Sequence, residues 1–307
     1  MCSFLMNVKR IIINVLQFKI KKMKTLKFLA VASLTLLVLS CKKDKLITIP
    51  VEANPTETSG MIKVTEVVNS THTIELFTKS GDFKTGYNEL FLRIKNTSTQ
   101  AYESNLTMSV KPMMHMTSMT HSCPVSNFEK TENKTNLYNG YVVFQMASNA
   151  AEYWDFKIDY SISGVDYTAT KQITVINSAK RRVTTFTGTD NVKYILALVN
   201  PESPKVGIND IQAMLFKMES MSSYPAVNGF SVNIDPRMPS MGNHGSPNNV
   251  HLVQTNNSGR YNGKLSLTMT GYWVINLQVL NENQQVLKGE LIEGSVDASS
   301  IFFELEF

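Results

Sequence analysis

The chain has 307 residues, 43% of them hydrophobic and 18% charged, and its 30 Lys and Arg against 25 Asp and Glu give a formal charge of +5. Seven of the basic residues (Lys9, Arg10, Lys19, Lys21, Lys22, Lys24, Lys27) precede Cys41 and no acidic residue does, so beyond Cys41 there are 23 basic and 25 acidic residues, a charge of about −2. The basic excess belongs to the leader, and with no basic stripe interleaved with aromatics nothing points to nucleic-acid binding.

In chain order, Met23-Lys24-Thr25-Leu26-Lys27 is a positive n-region and Phe28 to Leu39 an apolar h-region that closes on Val38-Leu39-Ser40-Cys41. This pattern predicts a secretory signal over residues 1–41 with its true start at Met23 and a lipid on Cys41. A lipid there places the protein in the cell envelope, anchored to the outer membrane. The h-region is short for a membrane span. Of the three cysteines, Cys2 falls in the leader and Cys41 carries lipid, so Cys123 is left without a disulfide partner. Residues 42–60, with Ile49-Pro50 and Asn54-Pro55-Thr56-Glu57-Thr58, read as a polar tether.

Beyond the tether the pattern is strand-like: short runs of β-branched and aromatic residues alternate with polar ones and end at Gly, Asn, Pro or Ser. Strands are expected near 71–78, 89–95, 106–111, 141–146, 154–161 and 167–175. A second set is expected near 193–199, 210–217, 230–234, 251–255, 263–268, 273–280, 286–292 and 301–307. The spacing predicts an all-β chain of two tandem immunoglobulin-like β-sandwiches, over 61–178 and 179–307. A polar, basic run at Asn177-Ser178-Ala179-Lys180-Arg181-Arg182 marks the boundary. Trp154 and Trp273 are expected to pack between the sheets. Tyr138-Asn139-Gly140 and Tyr261-Asn262-Gly263 are expected to start hairpin strands, with Asn-Gly at positive φ.

A methionine–histidine cluster occurs twice. Pro112-Met113-Met114-His115-Met116-Thr117-Ser118-Met119-Thr120-His121-Ser122-Cys123-Pro124 is followed by Pro236-Arg237-Met238-Pro239-Ser240-Met241-Gly242-Asn243-His244-Gly245-Ser246-Pro247. In sequence Met116 maps to Met238 and Met119 to Met241. His121 maps to His244, Tyr138 to Tyr261, Met146 to Met269 and Trp154 to Trp273, so the chain reads as a tandem duplication.

Thioether and imidazole suit copper: the neutral sulfurs favour Cu(I) and imidazole accepts Cu(I) or Cu(II). Each cluster follows a short apolar strand (106–110; 230–234) and a Pro, which predicts ligands on a loop just beyond a strand end. The candidate ligands of the second copy are Met238, Met241 and His244, with His251 as an outside candidate. Those of the first are Met113, Met114, His115, Met116, Met119, His121 and Cys123. Met108, Met146, Met214, Met218, Met221 and Met269 stand in or beside strand patterns and read as core filler.

The second copy resembles the YtkA-like (FixH-related) domain family. The resemblance rests on Pro236-Arg237-Met238-Pro239-Ser240-Met241-Gly242-Asn243-His244, Gly259-Arg260-Tyr261 and Leu267-Thr268-Met269-Thr270-Gly271-Tyr272-Trp273, and covers roughly residues 193–280. It implies an exported β-sandwich linked to copper trafficking, with Met238, Met241 and His244 in the ligand run. Asn243 interrupts that run, and the first copy has Thr117 where Pro239 stands and no Gly before Trp154.

The expectation is a non-enzymatic copper-binding lipoprotein that carries, buffers or delivers copper, with a donor or acceptor protein as partner. A structural or adhesive surface module without metal is the alternative. A cupredoxin needs a Cys followed closely by His and Met, and Cys123 has no such His. No His-Glu-x-x-His, Cys-x-x-Cys or Walker-type run is present, and five His leave few catalytic bases.

Overall fold

The computed structural model describes residues 57–293 and 297–307. The signal segment, Cys41 and the tether up to residue 56 lie outside the described residues. The folded part begins within the expected tether: Glu57 is buried, and its carboxylate accepts the backbone N–H of Thr135 (3.0 Å) and of Asn136 (3.4 Å).

The chain is all-β. The strands of the first sandwich are β1 (Ile62–Val68), β2 (His72–Thr78), β3 (Phe83–Lys84), β4 (Gly86–Asn96), β5 (Leu106–His115), β6 (Thr120–His121), β7 (Glu129–Lys130), β8 (Tyr138–Phe144), β9 (Tyr153–Ile162), β10 (Val165–Ile173) and β11 (Val175–Ile176). Those of the second are β12 (Val183–Thr187), β13 (Lys193–Asn200), β14 (Gly207–Lys217), β15 (Ser231–Met238), β16 (His244–Gly245), β17 (Val250–Val253), β18 (Arg260–Leu267), β19 (Tyr272–Leu280), β20 (Val286–Lys288) and β21 (Phe302–Glu306). Each run expected from the sequence forms a strand, and β1 and β12 are additional ones, as are the two-residue strands β3, β6, β7, β11 and β16.

In the first sandwich the sheet β1-β2-β4-β8-β7 faces the sheet β10-β9-β5-β6, with β11 and β3 as a short parallel pair. The second sandwich is one continuous sheet, β12-β13-β14-β18-β17-β15-β19-β20, with β16 on β15 and β21 on β19. Alternation drives the layering. Along β9, Trp154, Phe156, Ile158 and Tyr160 point inward and are buried, while Asp155, Lys157 and Asp159 face out. Along β15, Val232, Ile234, Pro236 and Met238 do the same. Both tryptophans are fully buried, each in its own core. Loss of either indole would cost about 3–5 kcal/mol by the usual penalty for emptying such a site.

The duplication extends to hydrogen bonds. Trp154 Nε1 donates to the Met146 carbonyl and Trp273 Nε1 to the Met269 carbonyl, both at 3.1 Å. The Asn88 side chain bonds the backbone of Lys84 and Gly86, and Asn209 bonds Lys205 and Gly207 in the same pattern. The Asn-Gly pairs do not supply turns. Asn139 and Gly140 lie within β8, Asn262 and Gly263 within β18, and none has positive φ. The glycines are needed for close approach: a Cβ on Gly140 would stand 2.7 Å from Ser126 Oγ, and one on Gly263 would overlap the Val250 carbonyl oxygen.

A third apolar layer joins the sandwiches. Val143 packs with Ile195, Ala197, Val199, Met214 and Phe216, flanked by Tyr87, Tyr141 and Tyr224. Arg260 donates to the Tyr87 hydroxyl (3.0 Å) across the same junction.

Candidate metal centre

The Met/His clusters do not lie wholly on loops. Strand β5 runs through Met113 and Met114 to His115, and β15 runs to Met238. Proline does not stop either strand because each sits at a partly open edge. Strand β6 reaches only Met114 and His115, and beside it the Pro112 carbonyl accepts the Ser122 hydroxyl (2.7 Å). The missing N–H of Pro112 faces that same side, where no ladder partner waits. Pro236 likewise stands between the stretches of β15 covered by β17 and by β16.

Strand register sets the equivalence between the copies. Met114 pairs with Trp154 on one side and His121 on the other. Met238 pairs with His244, and Arg237 faces Val274, which puts Met238 at the rung of Trp273. Met114 therefore occupies the place of Met238, and the sequence alignment of Met116 with Met238 is displaced by two residues. Both rung methionines are buried, Met114 at 0% and Met238 at 3% exposure. The Met238 methyl lies against Gly271.

At the first tip, Met116 N donates to the Met119 carbonyl (2.9 Å) and closes the β5–β6 turn. Met116 packs against the first core, whereas Met119 is exposed. Met113 and His115 point away from the core. His115 Nε2 lies 2.8 Å from Asp155 Oδ2, and its ring stacks on Tyr153 (4.8 Å, 14°). The His121 ring stands edge-on to Trp154 at 5.7 Å, and its Nδ1 is 2.7 Å from the Ser122 carbonyl oxygen. A carbonyl only accepts, so Nδ1 carries the proton and Nε2 keeps its lone pair. Metal-bound histidines are oriented in this way. Cys123 is fully enclosed in the first core, and desolvation raises its thiol well above the ordinary range, so it packs as a protonated apolar side chain.

At the second tip a single 3-10 turn spans Pro239–Met241, and Gly242 (φ 64°) and Asn243 (φ 61°) are both left-handed. The Asn243 amide donates to the Asp297 carbonyl (2.9 Å) and fixes this turn. Met241 and His244 are exposed, while Met238 is inside. His251 accepts the Ile234 N–H at Nδ1 (3.1 Å), so its neutral ring carries the proton on Nε2 and has no free lone pair. The structure thus brings Met119 to His121 and Met241 to the turn before His244. Met114, the rung partner of His121, Met238, the rung partner of His244, and Cys123 are buried in the cores.

Of the residues read as core filler, Met146 packs against the first core and also faces a cavity, whereas Met218 and Met221 join no core. Met146, Met218 and Met221 line a cavity of about 350 Å³ together with Met119, His121 and Gln145, with Thr185, Lys193, Ile195 and Tyr224 completing its wall. The signal was present in the sequence as a further Met-x-x-Met, Met218 to Met221, set in the Ser-rich run Glu219-Ser220-Met221-Ser222-Ser223. Among the described residues no three His, Cys, Asp or Glu come together as a metal-binding group, so a centre here depends on thioethers.

No protein-family model matches the chain, and no curated protein does. Among solved structures it is similar to FdeC, an Escherichia coli adhesin eliciting protection against urinary tract infections, at 18% identity over 67% of this chain and 60% of that one, with a TM-score of 0.22. It is also similar to a chimeric titin Z1Z2 tandem carrying a GRGDS peptide from fibronectin, at 13% identity over 73% of this chain and 94% of that one, with a TM-score of 0.17. The chain spans about 60% of the length of the adhesin chain it matches.

Proposed function

We propose that this protein is an envelope lipoprotein, anchored through Cys41, that binds copper at its Met/His hairpin tips. It carries, buffers or delivers the metal and catalyses no reaction. The observation that carries this reading is His121: its Nδ1–H is committed to the Ser122 carbonyl, and its ring lines the same cavity as the Met119 side chain. Imidazole with neutral thioether is a donor set for Cu(I) that needs no thiolate. The second tip presents Met241 and His244 in an open arrangement suited to exchange with a donor or acceptor protein.

The test is Cu(I) titration of the full mature chain against a chromophoric chelator, with Met119→Leu and His121→Ala combined. The expected result is metal uptake by the native protein and at least a tenfold loss of affinity in the double variant. Native protein that takes no Cu(I) from the chelator would overturn the reading.

A further inference from the structure

We infer that the tight site of this protein is composite: a soft monovalent cation held in the cavity at the junction of the two sandwiches, with thioethers supplied by both. The inference deepens the copper reading and rests on it. The first sandwich contributes Met119, His121 and Met146, and the second contributes Met218 and Met221. Four thioethers and one imidazole around about 350 Å³ are a neutral, sulfur-rich donor set, which selects Cu(I) or Ag(I) over hard divalent ions.

The backbone of each donor is fixed on a rigid element. Met119 is held by the turn bond from Met116 N. Met146 is held through its carbonyl by the Trp154 indole (3.1 Å). Met218 N donates to the Lys193 carbonyl (2.8 Å), which ties the start of the Met-x-x-Met loop to β13. The Met221 carbonyl accepts the Ser122 N–H (2.7 Å), which ties the other end of that loop to the residue after His121. The second sandwich therefore delivers its methionines to the first through a direct main-chain bond beside the proposed imidazole ligand. Sites held on fixed elements keep their geometry without the metal.

Two further observations point to an occupant. Met119 and Met221 are each 47% exposed although they line one cavity, so their thioethers gain little from apolar burial. Gln145 Oε1, in the same wall, is buried and accepts no hydrogen bond. A buried acceptor without a donor is costly, and a cation in the cavity offers it a positive partner. Lys193 also lines the cavity and opposes a cation there, but the residue is exposed and its ammonium can extend into water.

The experiment uses the full mature chain with Cu(I), and Ag(I) as a redox-inert check. Met218→Leu with Met221→Leu keeps the apolar bulk and removes both sulfurs, and a thermal melt verifies the fold. Affinity is expected to fall at least tenfold, and X-ray absorption should lose sulfur scatterers while keeping the nitrogen. If the Met218/Met221 variant binds as tightly as the native chain while the Met119/His121 variant does not, the composite site is wrong and the hairpin-tip reading survives. If the native chain binds neither cation, both fall.

Discussion

A thiol that is 2% exposed in an apolar core has no water to stabilise its thiolate, and Cys123 is in that position. Desolvation holds its ionisation well above the usual thiol range. The thiolate is both the nucleophile and the metal-binding form. Cys123 is therefore expected to stay unmodified by a charged disulfide reagent in the folded protein, and to react stoichiometrically once denaturant opens the first core. Labelling followed against urea concentration checks this, and fast labelling in native buffer would refute it. The folded-state shift is upward, so the stability it contributes is present below the unfolded thiol range and fades as pH rises through the folded value. Sequence placed Cys123 two residues after His121 and made it a ligand candidate. The strand end separates them: β6 stops at His121, which stands against Trp154 at the edge of the cavity, and past that end Cys123 is enclosed in the core. His251 is similar, since only the bond from Ile234 N reveals that its lone pair is engaged.

Strand edges decide how the Met/His runs are presented. A proline after a short apolar run reads as a strand end, yet β5 and β15 continue past Pro112 and Pro236, which pair with β9 and β19 on one side and have no ladder partner on the other. This places Met114 and Met238 in the cores and leaves the tips to Met119, His121, Met241 and His244. The strands themselves were legible, because period-two alternation survives in β9 and β15. The two Asn-Gly pairs were misleading for a physical reason. Glycine serves a turn by adopting positive φ, but it serves a strand by lacking a Cβ, and composition does not distinguish the two uses. Gly263→Ala tests which use applies. Its methyl would press on the Val250 carbonyl between β17 and β18, so a loss of about 1–3 kcal/mol is expected in urea unfolding, in the range of overpacked interiors. A turn glycine at positive φ is not present at that position, so an unchanged midpoint would mean that β17 moves aside without cost.

At the scale of the whole molecule, the junction matters more than the two-copy pattern suggested. Strand β13 is buried at six consecutive positions from Tyr194 to Val199, which signals a strand covered on both faces. One face belongs to the second core through Leu196 and Leu198, and the other meets Val143 of the first sandwich through Ile195, Ala197 and Val199. That run was visible in sequence, but periodicity alone gives no partner for its second face. Phe216 sits in the same layer, 2% exposed, with its ring 6.2 Å from that of Tyr141. Phe216→Ala is expected to empty about 3–5 kcal/mol of packing from the junction. Loss on that scale should turn one shared urea transition into two separate ones, read by near-UV circular dichroism. Phe216 does not line the Met/His cavity, so the same variant separates positioning from ligation. If the junction positions Met218 and Met221 against His121, Cu(I) affinity falls along with cooperativity. Two transitions with native affinity would mean that the Ser122–Met221 bond suffices to hold the donors. A native melt with lowered affinity would instead place Phe216 in the site, against its position in the layer.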